Sequence, residues 1–180
     1  MNVFEPILTD RLLLRKLEIT DLDDFFEYRS LPEIYEFQSF KPEDLKKAKE
    51  FFSKISSIPD IRNTWFQLAV CIKENTKLIG DIGIHYLNDD AQVEVGYTIA
   101  PIFQRNGYAT EALIAVIQYL FYRVDKHRII ASVDPRNERS IKLLEKIGMR
   151  KEAHFIKSIK ADDLWLDDCI YALLKEEWIF

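Results

Sequence analysis

The sequence predicts a mixed α/β domain of the α+β kind, and three observations carry that expectation. Residues 65–73, 77–86 and 91–100 are strand-like runs separated only by the short polar turns ENTK and LNDD. After Pro101 the pattern changes to helix, strand, helix over 109–124, 129–133 and 137–148. No repeat, low-complexity tract or Pro/Gly-rich linker interrupts the chain, and 180 residues suit one domain covering 1–180. Strands early and βαβ units late give the order β-α-α-β-β-β-α-β-α-β-β.

Each element has a local reason. Residues 12–17 (LLLRKL) read as a first strand. Thr20 and Asp21 are placed to cap a helix starting near Leu22, whose apolar positions Leu22, Phe25 and Phe26 share a face. Pro32 interrupts that helix, and Pro42 opens a second one, KPEDLKKAKEFFSKI, with acids in its first turn and lysines later, as the helix dipole favours. The three runs from 65 to 100 are rich in β-branched and aromatic residues and read as an antiparallel meander. In 109–124, Ala112, Val116, Tyr119 and Leu120 recur at helical spacing. IIASV at 129–133 is wholly apolar apart from one serine and suits a central strand. Asn137 fits the N-cap of the next helix and Gly148 the position past its end. Residues 150–158 and 164–174 complete the set as two further strands.

Composition narrows the function classes. The 25 basic and 30 acidic residues leave a net charge of −5, which argues against nucleic acid as a partner. No apolar run reaches the ~18–20 residues of a bilayer span, and MNVFEPILTDR lacks a signal-type stretch, so no membrane partner and a cytoplasmic location are expected. Cys71 and Cys169 form no CxxC pair and read as reduced, partly buried thiols; with His85, His127 and His154 scattered, no metal is expected.

The most informative stretch is Gln104-Arg105-Asn106-Gly107-Tyr108-Ala109-Thr110, between a strand and the long helix. A Q-x-x-G-x-A loop there leaves backbone N–H groups free at a helix N-terminus. Gly107 lets the backbone approach a ligand, Ala109 keeps the helix start uncluttered and Arg105 adds charge, so the loop suits a pyrophosphate. A tight turn ahead of a helix is the plainer alternative. No glycine is followed by Lys-Ser or Lys-Thr and no G-x-G-x-x-G occurs, so the P-loop and the dinucleotide fingerprint are excluded.

Five further segments accompany this loop: TDRLLLRKL (9–17), LIGDIGIHY, VEVGYTIAPIF running into the loop, NERSIKLLEKIGM, and LWLDDCIYALLKEEW (164–178) at the end. In that order they resemble the GNAT acetyltransferase superfamily, and most of all the branch that includes ribosomal-protein N-terminal alanine acetyltransferases. The resemblance implies a central mixed sheet that splays after the fourth strand, flanked by about four helices. It implies acetyl-CoA as cosubstrate, its pantetheine arm in the splay beside Ile99 and Ala100 and near Asn137, its pyrophosphate on residues 104–110. Met149 stands where the family usually has an aromatic, and a flexible thioether should still pack there.

The reaction so implied is acetyl transfer to a primary amine, of a peptide N-terminus or of a small molecule, directly within a ternary complex. A thioester is already activated, so positioning a neutral amine against the carbonyl is the main task. A base must take the amine proton. Glu94, sharing a strand face with Gly96 and Thr98, is the candidate; a carboxylate merely paired or solvated is the alternative. A backbone N–H near Ile99 suits the thioester oxygen. Ser140, three residues after Asn137, matches the serine assigned in this branch as proton donor to the departing thiolate; a hydroxyl that only binds the cosubstrate or the backbone is the alternative. Tyr35, in the aromatic segment 35–40, His85 and Asp167 are candidates for the acceptor site. Against them stand a core-closing aromatic, an ordinary strand histidine and a solvated acid. A homodimer remains open, and so does a non-catalytic acyl-CoA-binding regulatory module.

Overall fold

The computed structural model describes residues 4–38, 40–161 and 163–180. A two-residue strand, β1 (Ile7–Leu8), precedes β2 (Leu12–Lys16) and pairs with it antiparallel. The first helix, α1 (Leu22–Arg29), ends before Pro32, and Pro32 itself starts a single helical turn, α2 (Pro32–Tyr35). Asp21 stands at the head of α1 but makes no cap to it. Its carboxylate instead accepts from Arg15 (2.6 and 2.7 Å) and from the Glu18 N–H (2.9 Å). The next helix, α3 (Leu45–Lys54), begins three residues later than Pro42 predicts. Asp44 is extended, and its side chain accepts from the Lys47 N–H at 2.7 Å. A capping aspartate stops the helix from reaching back, so the acids lie before the first turn rather than in it.

The remaining elements follow the expected order. They are β3 (Thr64–Ile72), β4 (Leu78–Tyr86), β5 (Gln92–Ile99), α4 (Tyr108–Tyr122), β6 (Arg128–Val133), α5 (Glu138–Lys146), β7 (Arg150–Ala161) and β8 (Leu164–Leu174). They form one eight-stranded mixed sheet in the order β1-β2-β3-β4-β5-β6-β8-β7. The meander β3–β4–β5 is antiparallel, and β5 meets β6 in parallel, as a helical crossover requires. That parallel contact covers only Gln92↔Arg128, Val93↔Ile129 and Glu94↔Ile130. Past Glu94 the two strands part, which is the splay anticipated after the fourth strand; the short β1 makes it the fifth.

Two cores cover the two faces of the sheet. On one, Ala112, Leu113, Val116, Ile117 and Leu120 of α4 pack on Leu68, Ile82, Ile84, Val93 and Val95. Met149 is buried in the same core, and Gly148 takes the left-handed conformation (φ +90°) that ends α5. On the other face, Phe25 and Tyr28 of α1 lie against Ala69 and Cys71. Phe40 stacks on Phe51 at 4.7 Å and so closes this second core, while Ser39 beside it lies outside the described residues. Among the described residues no helix is long and apolar enough to cross a membrane.

A buried ion pair ties α1 to the sheet on this second face. Asp81 is fully buried and accepts from Tyr28 Oη (2.7 Å), Arg29 Nε (3.0 Å), Arg29 Nη2 (2.5 Å) and Gln67 Nε2. Arg29 also donates to Gln38 Oε1 at 3.0 Å, which anchors the segment after α2. Removing one partner strands the other charge in low dielectric. Arg29→Ala should therefore cost on the order of 3 kcal/mol in urea unfolding. An unchanged midpoint would mean that Asp81 is satisfied without the guanidinium.

Candidate active site

The loop before α4 has the backbone geometry expected of an anion site. Gly107 is the N-cap of α4 at φ +80°, ψ 0°, and Arg105 is also left-handed at φ +63°. These turns aim successive N–H groups outward. Among the described residues, the backbone N–H groups of residues 105–110 reach no backbone carbonyl, and the first bond of the helix is Glu111 N–H to Gly107 O at 3.1 Å. Among the described residues these six consecutive N–H groups lack a backbone partner, the arrangement that anion nests at helix N-termini share. Asn106 braces the loop from within, its amide donating to Phe103 O (3.2 Å) and Gln104 O (3.0 Å).

Arg11 holds the loop from the far end of the chain. It donates to Asn106 O (3.0 Å), lies over the Tyr108 ring (4.6 Å) and pairs with Glu111 (2.6 Å). Burial pushes the Glu111 carboxyl up, but hydrogen bonds from Thr9 and Arg11 outweigh it, and the pKa is lowered. A carboxylate beside an anion cradle would repel the anion; Arg11 neutralises it while leaving the loop's own donors free. A groove of about 540 Å³ adjoins the cradle, with Thr9, Gly107, Thr110, Glu111, Ile114 and Lys146 among its walls.

The splay opens beside this cradle. Ala100 N–H donates to Ile79 O at 2.8 Å. By the alternation of an antiparallel ladder, the Ile99 N–H then faces away from β4, into the gap that β6 has left. The Ile99 carbonyl on the same side accepts from Gln104 Nε2 at 2.9 Å, which fastens the loop to the strand end. Ile99 and Ala100 are both buried.

On one face of β5 sit Glu94, Gly96 and Thr98. Register places His85 opposite Glu94, Gly83 opposite Gly96 and Asp81 opposite Thr98. A Cβ at Gly96 would meet no atom within 4 Å, so the surface beside Glu94 is open. Burial raises the Glu94 pKa above the usual carboxylate value; His85 pulls it down, and the charge of Asp168 pushes it up. His85 Nδ1 stands 3.6 Å from Glu94 Oε2, an ion-pair rather than a hydrogen-bond distance. The His85 ring is held by Trp65 from β3, stacked at 4.7 Å and 8°.

On the opposite face of β5, Tyr97 reaches α5. Its hydroxyl lies 2.7 Å from Ser140 Oγ. Asn137 caps α5, its Oδ1 accepting the Ser140 N–H at 3.1 Å, which orients Ser140 in the first turn. Glu94 and Ser140 thus flank the splay from opposite faces of the sheet.

The other predicted residues lie apart from Glu94. Asp167 points to the face opposite Glu94; it accepts from the Lys157 N–H (2.9 Å) and sits 2.9 Å from His154 Nε2. Its neighbour Asp168 shares the Glu94 face, buried, and accepts from Ser132 Oγ at 2.7 Å. Tyr35 ends α2 with Lys41 over its ring at 4.2 Å, and Phe37 lies by Arg136 in the β6–α5 connection (5.7 Å). Arg11, Trp65, Tyr97 and Asp168 escaped the sequence reading. The tandem acids at 167–168 signalled that one would face each way, but not which.

Comparison with known proteins now has a structure to rest on. Residues 11–150 match the family model described as an acetyltransferase (GNAT) domain. An uncharacterised N-acetyltransferase of Bacillus subtilis (strain 168), YnaD, is 34% identical over 175 residues, 96% of this chain and 98% of that one. The [ribosomal protein uS5]-alanine N-acetyltransferase of Escherichia coli (strain K12) is 36% identical over 84 residues, 47% of this chain and 43% of its own. The crystal structure of a GNAT-family acetyltransferase from Bacillus anthracis superposes with a TM-score of 0.87 at 31% identity, covering 96% of this chain and 100% of that one. A family match over most of the chain, full-length relatives and a splayed sheet with an anion cradle agree, and the chain belongs to the GNAT acetyltransferase family and is an acetyltransferase.

Proposed function

We propose that this acetyltransferase moves an acetyl group from acetyl-CoA to a primary amine in a single ternary complex, with residues 1–180 working as one domain. The observation that carries this reading is the parting of β5 from β6 past Glu94, with an open carboxylate face on one side and a hydroxyl on the other. The pyrophosphate takes the free N–H groups of residues 105–110, and the pantetheine arm runs between β5 and β6 beside Ile99, Ala100 and Asn137. The Ile99 N–H, unused by β4, is the donor for the thioester oxygen.

Glu94 takes the amine proton from the open face beside Gly96. A desolvated carboxylate is a stronger base than an exposed one, which suits it to an amine mostly protonated at neutral pH. Ser140 delivers a proton to the departing sulfur from the other face. The peptide version of the acceptor is favoured by the relative named for a ribosomal-protein alanine. Trp65 and His85 line the acceptor recess.

Thiol release from acetyl-CoA, measured across N-terminal peptides and small amines, tests the acceptor. Release with peptides is expected; release with small amines alone would overturn the peptide version, and tight acetyl-CoA binding with no turnover would favour the binding module. Ser140→Ala should lower kcat about 10²-fold with acetyl-CoA affinity nearly intact. A loss confined to the KM for acetyl-CoA would make Ser140 a binding residue only.

A further inference from the structure

We infer that Tyr97 is a positioning residue for the acid step: its hydroxyl donates to Ser140 Oγ, turns the serine's own hydrogen toward the leaving sulfur, and holds the oxygen as it gives that proton up. The inference rests on the reading of Ser140 as the thiolate's proton donor, and it supplies what that reading lacks. A lone serine hydroxyl is a weak acid, and nothing in its own helix explains why its hydrogen should face the splay. The Ser140 N–H is taken by Asn137, and among the described residues the side-chain hydrogen-bond partner of the hydroxyl is Tyr97 Oη, at 2.7 Å.

Tyr97 and Ser140 come from the two arms that part at the splay. Tyr97 is three residues past Glu94, where pairing with β6 has stopped; Ser140 lies on the helix that follows β6. Their contact therefore bridges the mouth on the α5 face. Alternation along β5 puts Glu94 on the other face, so base and acid do not compete for the same space. Tyr97 is partly buried, and burial holds its pKa up at about 12, with Ser140 pulling it the other way. The phenol stays protonated throughout the working pH range and keeps a hydrogen to give; the Ser140 carbonyl stands at 3.4 Å and Ser140 Oγ at 2.7 Å, and the inference puts that hydrogen on the nearer oxygen. A serine oxygen that accepts from Tyr97 has its own O–H left to give.

The step balances without any further reagent but water. The amine nitrogen bonds to the carbonyl carbon, the carbon–sulfur bond breaks, and its electron pair goes to sulfur. The amine proton passes to Glu94 and on to water. Sulfur takes the Ser140 proton, and Ser140 recovers one from water. Tyr97 transfers nothing; its hydrogen bond shortens as Ser140 becomes anionic. A hydrogen bond to a charged oxygen is worth about 1.5–3 kcal/mol, about 10–100-fold in rate.

The test compares wild type, Tyr97→Phe, Ser140→Ala and the double variant with acetyl-CoA and with its selenoester analogue, whose selenolate leaves without needing a proton. Tyr97→Phe should lower kcat with acetyl-CoA by about 10–100-fold, leave acetyl-CoA affinity by calorimetry unchanged, and lose little with the selenoester. The double variant should be no worse than Ser140→Ala alone. The ¹³Cζ resonance of Tyr97 should shift in Ser140→Ala without any turnover. If Tyr97→Phe folds poorly, 3-fluorotyrosine at 97 keeps every contact and should hold or raise kcat. Equal losses with both esters, or additive losses in the double variant, would overturn the role of Tyr97. A normal kcat in Tyr97→Phe beside a thioester-specific loss in Ser140→Ala would overturn it while leaving the reading of Ser140 intact. A normal kcat in Ser140→Ala would bring both down.

Discussion

Glu94→Gln should lower kcat by about 10²–10⁴-fold, the range of a general base, while acetyl-CoA binds as before. The loss should shrink at high pH and for amines of low pKa, which reach the enzyme already neutral. Because burial raises the Glu94 pKa, the wild-type rate should climb with pH along a limb displaced above the usual carboxylate range. The same shift predicts the stability of the variant. A carboxyl whose folded pKa is raised favours the fold when protonated. That contribution is present below the unfolded pKa and is lost as pH rises through the folded one. Ionised Glu94 therefore costs stability at neutral pH, and Glu94→Gln should melt no lower than wild type there. A structural carboxylate would behave in the reverse way, with a lower Tm and the same fractional loss of activity for every amine and pH. A rate ratio that stays flat across pH and across a high- and a low-pKa amine would remove Glu94 from the chemistry. With Asp167 on the other face, the base would then have to be sought at His85, which shares the face of Glu94, or at a water held by backbone carbonyls.

Gly107→Glu should weaken acetyl-CoA binding by about 10³-fold or more. Two causes add. Gly107 sits at φ +80°, where a side chain costs roughly 1–2 kcal/mol. The new carboxylate would then stand among the six N–H donors of the proposed pyrophosphate site, and would both compete for them and repel the anion. A Cβ at this position lies 3.4 Å from Arg11 Nη2, so the carboxylate can also draw Arg11 from Glu111. Gly107→Ala separates the two causes, since it carries the strain without the charge and should lose only about tenfold. Calorimetry on folded variants checks both. Unchanged affinity in Gly107→Glu would move the pyrophosphate away from this loop.

Local chemistry explains which features could be read directly from the chain. Helical spacing in 109–124, alternation in the three meander runs, Asn137 as a cap and Gly148 as a stop depend on neighbours within one turn or one strand. The turn before α4 is legible for the same reason: Gly107, Ala109 and the helix start are contiguous. Pro42 and Asp44 both signal a helix N-terminus, and only the folded geometry, with Asp44 accepting from the Lys47 N–H, starts α3 after Asp44.

What stayed hidden is set by register and by distance along the chain. Arg11 bonds to Asn106 across 95 residues, and Tyr97 meets Ser140 across 43. No local pattern encodes either contact. Alternation says that Asp167 and Asp168 face opposite ways, yet only the pairing of β8 with β6 decides that Asp168 shares the face of Glu94. The splay itself is a failure of pairing beyond Glu94↔Ile130, a property of two strands and of neither alone. Residue types and local periodicity therefore determined the elements and the glycine turn before α4. Sheet register, which turns every side chain over with a one-residue slip, decided which groups face one another across the cleft.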